Sequence, residues 1–112
     1  RDATIDMKFT KDEIFGPVAP VYRFETEDEA VEMANDTIYG LAGYFYSGDL
    51  GRVFRVMEGL KYGLIGVNEG IITTAEAPFG GLKQSGLGKE GGHQGIEDYL
   101  DTKYVCIGGL GL

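Results

Sequence analysis

The stretch Ala42-Gly43-Tyr44-Phe45-Tyr46-Ser47-Gly48-Asp49, continuing through Leu50 and closed by Leu64-Ile65-Gly66-Val67, decides the fold. Its first five residues, rich in aromatics, read as a short strand. Ser47-Gly48 is a turn, and Asp49 stands where a short carboxylate can cap a helix. Leu50, Val53, Phe54, Met57 and Leu60 then recur at helical spacing on one face. Gly59 or Gly63 ends that helix. Leu64-Ile65-Gly66-Val67 is an apolar run of strand length, suited to a buried strand in a parallel sheet. Strand, helix, strand in that order is a βαβ unit.

Working outward toward the amino terminus, Thr26-Glu27-Asp28-Glu29 is a capping box. The Thr26 hydroxyl can accept from the Glu29 amide while the Glu29 side chain reaches back. Three acids in the first turn suit the positive end of the helix dipole. Ala30, Val31, Ala34 and Ile38 supply the apolar stripe, and Asn35-Asp36 with Gly40 brackets the end. Val18-Ala19-Pro20-Val21-Tyr22-Arg23-Phe24 predicts a further strand, at an edge or bulge because Pro20 has no N–H to donate. Residues 18–67 thus alternate strand and helix, the pattern of an α/β fold with a parallel sheet. Residues 1–17 are irregular and end in the turn Gly16-Pro17. Downstream, residues 69–92 form a long glycine-rich loop, of a length that is usually functional inside a compact domain. A short helix over residues 94–100 and a strand, Tyr104-Val105-Cys106-Ile107, complete the pattern.

At 112 residues the chain is long enough for one domain with a real core. With 43% hydrophobic and 25% charged residues it has the balance of a folded soluble protein. Its 19 glycines are well over twice the usual share of about 7% and argue for tight turns and close backbone approaches. A net charge of −8 argues against nucleic acid and against anionic membranes as partners. No apolar run approaches the roughly 18 residues of a membrane span. One cysteine allows no internal disulfide, which fits a reducing compartment.

Chemical motifs are few. Gly86-Leu87-Gly88-Lys89-Glu90-Gly91 spells G-x-G-x-x-G, but a loop precedes it where a dinucleotide site needs a strand, and the expected acid about 20 residues on falls in the glycine-rich end. A phosphate-cradling loop is excluded because Lys89 is followed by Glu90. Cys106 lies in an apolar strand pattern with no neighbouring base and reads as a small core residue. His93 is the only histidine, so no histidine cluster can hold a metal; it reads as an exposed residue at a helix start. No spacing singles out an acid/base pair.

Four ordered motifs carry a resemblance. They are Glu13-Ile14-Phe15-Gly16-Pro17, then Ala34-Asn35-Asp36-Thr37-Ile38-Tyr39-Gly40-Leu41-Ala42, then Gly66-Val67-Asn68, then Pro78-Phe79-Gly80-Gly81 with Lys83, Ser85-Gly86, Gly88 and Glu90. In this order the chain resembles the carboxyl-terminal part of the aldehyde dehydrogenase superfamily. Val67-Asn68-Glu69-Gly70, the run Glu76 to Gly88 and the ending Lys103-Tyr104-Val105-Cys106-Ile107-Gly108-Gly109-Leu110 look most like the succinate-semialdehyde dehydrogenases within it. Another subfamily is the runner-up, and a non-catalytic assembly module is the alternative of a different class.

The resemblance implies a fold: the βαβ parallel-sheet end of a catalytic domain over residues 1–84, then a helix and an oligomerisation strand, about residues 103–108, within 85–112. It implies oxidation of a small aldehyde by NAD or NADP in the full-length enzyme, a homo-oligomer (dimer or tetramer). A cytoplasmic location is expected, mitochondrial in a eukaryote. It also implies that the cysteine nucleophile, the general-base glutamate and the dinucleotide fold lie upstream of Arg1. The chain opens mid-pattern, as a fragment would, so no catalytic residue is expected in it and alone it should be inactive. Glu13 matches a glutamate that accepts hydrogen bonds from the nicotinamide-side ribose, and an acceptor-only carboxylate suits that task. Phe15 matches an aromatic packing beside the nicotinamide. Phe79 matches a residue lining the aldehyde pocket. Thr73 falls where a serine often holds the substrate carboxylate, and threonine keeps the hydroxyl while adding a methyl.

Overall fold

The computed structural model describes residues 2–109 and 111. Helix α1 (Glu27–Asn35) is capped by Thr26, whose hydroxyl accepts from the Glu29 amide at 3.1 Å. The Glu29 carboxylate accepts from the Glu25 amide at 2.7 Å, one residue earlier than a capping box places it. Strand β1 (Ala42–Phe45) leads to helix α2 (Leu50–Gly59), where Asp49 caps by accepting from the Arg52 amide at 2.6 Å. Strand β2 (Leu64–Val67) follows and lies parallel to β1, with Ala42 opposite Leu64 and Phe45 opposite Val67. This is the βαβ unit that the sequence predicts, with α2 as the crossover. Asn35 fastens α1 to it: its amide donates to the Gly59 carbonyl at 2.8 Å and its side-chain oxygen accepts from the Lys61 amide at 2.7 Å.

Two expected strands do not form. Val18–Phe24 forms no strand and joins no ladder among the described residues. The Ala3 amide donates to the Val21 carbonyl at 3.1 Å, and side chains add Arg23 to Asp2 at 2.7 Å and Tyr22 with Thr10 at 2.8 Å, but a strand exists only where a neighbour repeats backbone bonds in a row. The segment instead lies over α1, where Pro20, Tyr22 and Phe24 share an apolar groove of about 560 Å³ with Ala30, Met33 and Tyr62. Tyr104–Ile107 is likewise unpaired and exposed, Tyr104 at 86%. Cys106 is therefore exposed rather than a core residue. The short helix after His93 is present as a 3-10 helix, Gln94–Tyr99.

The expected core is thin. Among the described residues no hydrophobic side chain is fully buried. Val53, Val56 and Met57 of α2 and the capping Leu60 are half-covered, whereas Leu50 and Phe54 of the same stripe stay exposed. A sheet of only two strands, with α2 between β2 and α1, gives too few layers to enclose a side chain completely. Arg1 and Leu110, which belong to stretches quoted above, lie outside the described residues, as does Leu112.

Candidate functional site

The glycine-rich loop after β2 is ordered by side chains that reach back to the βαβ unit. Asn68 adopts φ +55° and turns its amide onto Ser47, accepting from the Ser47 N–H and donating to its carbonyl, each at 2.8 Å. Glu69 folds its carboxylate over its own loop and accepts from the Gly70 and Ile71 amides at 2.8 and 3.0 Å. These bonds, the one from Ile71 foremost, hold its carboxyl below the usual range. Thr74 donates to Glu76, which lowers that carboxyl likewise.

Further on, the loop is sewn to the start of β1. The Gly40 carbonyl accepts from both Gly63 and Leu82 amides at 2.9 Å, and the Gly40 amide donates to the Ser85 hydroxyl at 2.9 Å. This junction has no room for a side chain at Gly63, where a Cβ would collide with the Gly80 carbonyl. Lys83 sends its ammonium to the carbonyls of Asn35 and Thr37 at 3.1 and 3.0 Å, satisfying the end of α1. Its charge also lies 5.7 Å from the centre of the Tyr62 ring.

Phe79 occupies the far side of this loop. Its backbone pairs with Glu90 in both directions, each bond 2.7 Å. The half-buried ring lines an open hollow of about 430 Å³ with Leu41, Ser85, Lys89, Asp98 and Tyr99. The Lys89 ammonium donates to the carbonyls of Gly80 and Gly81 at 3.0 and 3.1 Å, and the Lys89 amide donates to the Asp98 carboxylate at 2.8 Å. Glu13, Phe15 and Thr73 are exposed, Phe15 at 95%, and none lines this hollow. The chain thus gathers a built loop around Phe79, while the other three expected site residues stand on open surface. Among the described residues no group of three or more His, Cys, Asp or Glu side chains is placed to hold a metal, and no helix is long and apolar enough to cross a membrane.

A family model described as the aldehyde dehydrogenase family matches residues 1–105. The chain belongs to that family. It is 60% identical over 109 residues to a 3-sulfolactaldehyde dehydrogenase of Pseudomonas putida, covering 97% of this chain and 22% of the relative. It is 60% identical over 101 residues to a glutarate-semialdehyde dehydrogenase of Pseudomonas aeruginosa, covering 90% and 21%. The crystal structure of succinate-semialdehyde dehydrogenase from Burkholderia pseudomallei superposes with a TM-score of 0.87 at 57% identity, over 93% of this chain and 22% of that one. Betaine aldehyde dehydrogenase from Staphylococcus aureus, solved in complex with NAD+, gives a TM-score of 0.86 at 47% identity over 91% and 20%. The chain spans about a fifth of the length of these relatives. The superposition settles the small α/β piece, two parallel strands with their helices, as the family's own.

Several residues of the family motifs prove to be fasteners. Asn35, Gly40, Asn68, Lys83 and Ser85 each tie one element to another. Sequence reading takes Asn35 and Gly40 as bracketing a helix end and all five as motif residues, but not as ties between elements. Lys89 is a further fastener, on the carbonyls of Gly80 and Gly81, and spacing alone does not say whether it or Lys83 reaches them.

Proposed function

We propose that this chain forms the substrate-side loop and cofactor-side wall of an NAD(P)-dependent aldehyde dehydrogenase acting on succinate semialdehyde. The observation that carries the reading is the family match over residues 1–105 together with the substrates of the named relatives. Succinate semialdehyde, glutarate semialdehyde and sulfolactaldehyde share one chemistry: a short aldehyde with an anion at its far end. The Thr73 hydroxyl is offered to that anion, and Phe79 shapes the pocket along the chain of the substrate. Glu13 and Phe15 suit a nicotinamide nucleotide, since one is an exposed acceptor carboxylate and the other a ring with an open face. When bound, the nucleotide accepts hydride from the aldehyde carbon. The division at residues 84 and 85 into a catalytic part and an oligomerisation arm belongs to the same proposal.

The test is a substrate panel on the complete subunit carrying this chain. Succinate semialdehyde should give a higher kcat/KM than glutarate semialdehyde, sulfolactaldehyde or uncharged butanal. Thr73→Val should lower kcat/KM for the anionic aldehyde by about tenfold, the worth of one hydrogen bond to a charged group, and leave butanal nearly unchanged. Equal losses on both substrates would remove Thr73 from the anion site. A preference for butanal in the parent enzyme would overturn the substrate assignment itself.

A further inference from the structure

We propose that Lys89 is a positioning residue that sets the placement of Phe79, and through it the fit of the aldehyde. The inference rests on the reading of Phe79 as pocket wall. Three observations converge on it. The Phe79–Glu90 backbone pair joins the two arms of the loop, each bond 2.7 Å. Lys89, next to Glu90, reaches across that pair to the carbonyls of Gly80 and Gly81, next to Phe79, at 3.0 and 3.1 Å. A Cβ at Gly80 would collide with the Gly88 carbonyl oxygen and lie 2.8 Å from the Lys89 Cδ, so the missing side chain is what lets the Gly88–Lys89 backbone and the lysine stem come this close.

Two successive glycines are the least restricted backbone a chain can have. Nothing in Gly80-Gly81 itself fixes where Phe79 sits. A clamp from outside must, and an ammonium shared between both carbonyls does so with charge-assisted bonds. The Asp98 carboxylate accepts from the Lys89 amide at 2.8 Å and anchors the lysine in turn to the Gln94–Tyr99 helix. Lys83, the other lysine of the loop, is engaged elsewhere, on the end of α1.

The complete subunit tests this with Lys89→Met, Phe79→Ala and the double variant. Lys89→Met should raise KM for succinate semialdehyde about tenfold while kcat stays within about twofold, because placement rather than chemistry is lost. Lys89→Arg, which keeps a cation on a long stem, should restore most of the KM. In the double variant the KM losses should fall short of additive, because a lysine acting through Phe79 has nothing to act on once the ring is gone. Additive losses, or no rescue by arginine, overturn the proposal. Should Lys89→Met fail to fold, Lys89→Gln takes its place in the cycle. Amide exchange at Phe79 and Glu90 gives a second reading independent of turnover. Faster exchange in the methionine variant supports the clamp even if the parent enzyme oxidises no aldehyde, which would sink the proposed function alone. Unchanged exchange sinks the clamp.

Discussion

At the scale of single residues, charge does its work here between helices. Glu27 on α1 accepts from Arg55 at 2.7 and 2.9 Å and from Arg52 at 3.0 Å, both on α2. Its side chain is 23% exposed, less than either arginine. Hydrogen bonding from Arg55 leads in drawing the carboxyl down to about 2 from an ordinary 4.5; partial burial opposes the shift and Arg52 adds to it. The sign follows from linkage. The folded chain releases this proton more readily than the unfolded one, so the contribution is full above about pH 4.5 and fades as pH falls toward 2. Glu27→Gln should therefore lose helical circular dichroism at lower urea than the parent at pH 7. It should also show a flatter pH dependence between 4.5 and 2. Parallel curves for the two proteins across that window would show that the bridge contributes nothing. None of this pairing was legible in the sequence, because Glu27 and Arg55 are 28 positions apart and only the folded α1–α2 packing brings them together.

At the scale of elements, helix starts and the βαβ order are legible locally, whereas helix ends are not: Ile38, expected on the stripe of α1, lies beyond its last residue, Asn35, and is exposed. Thr26 and Asp49 are caps because each is a short acceptor immediately before a run of helical spacing, and both bonds form. β1 and β2 follow from apolar runs joined by a helix of sufficient length for a parallel crossover. Val18–Phe24 and Tyr104–Ile107 have the composition of strands, yet composition specifies only half of a strand. The other half is a neighbour's row of N–H and C=O groups, and no single segment can encode it. The loop's architecture was hidden for a related reason: side chains of Asn68, Lys83, Ser85 and Lys89 bond to backbone, and backbone carries no sequence signature. The caps provide the quantitative check. Thr26→Ala and Asp49→Ala should each cost about 1 kcal/mol, read as a lowered midpoint in urea, with the two losses adding because the sites act on different helices. A neutral Asp49→Ala would mean that α2 is held by its packing on β2 and α1 without help from the cap.

At the scale of the whole molecule, the decisive quantity is surface. The chain exposes 9218 Å², against about 6,000 Å² for a compact protein of 12.1 kDa. Its radius of gyration is 20.0 Å where about 13 Å is usual for this length, and it extends 77 × 34 × 25 Å. Much of the excess is apolar: Phe15, Ile71, Leu87, Tyr99 and Tyr104 are each more than four-fifths exposed. Exposed apolar area on this scale favours association with a covering surface. On the proposed reading the cover is the remainder of a dehydrogenase subunit, which would also bring the thiolate and the base. Two results should then be seen together for the 112-residue chain alone. Its mass by light scattering should rise with concentration, as exposed faces and the unpaired 103–108 segment find one another. It should also reduce no NAD or NADP with succinate semialdehyde, before or after alkylation of the exposed Cys106. A monomer at all concentrations would show that these faces need no cover. Aldehyde-dependent cofactor reduction that alkylation abolishes would show that Cys106, and not an upstream residue, is the nucleophile. Self-association without turnover is the outcome expected if the proposed reading holds, because apolar area drives docking whether or not chemistry is present.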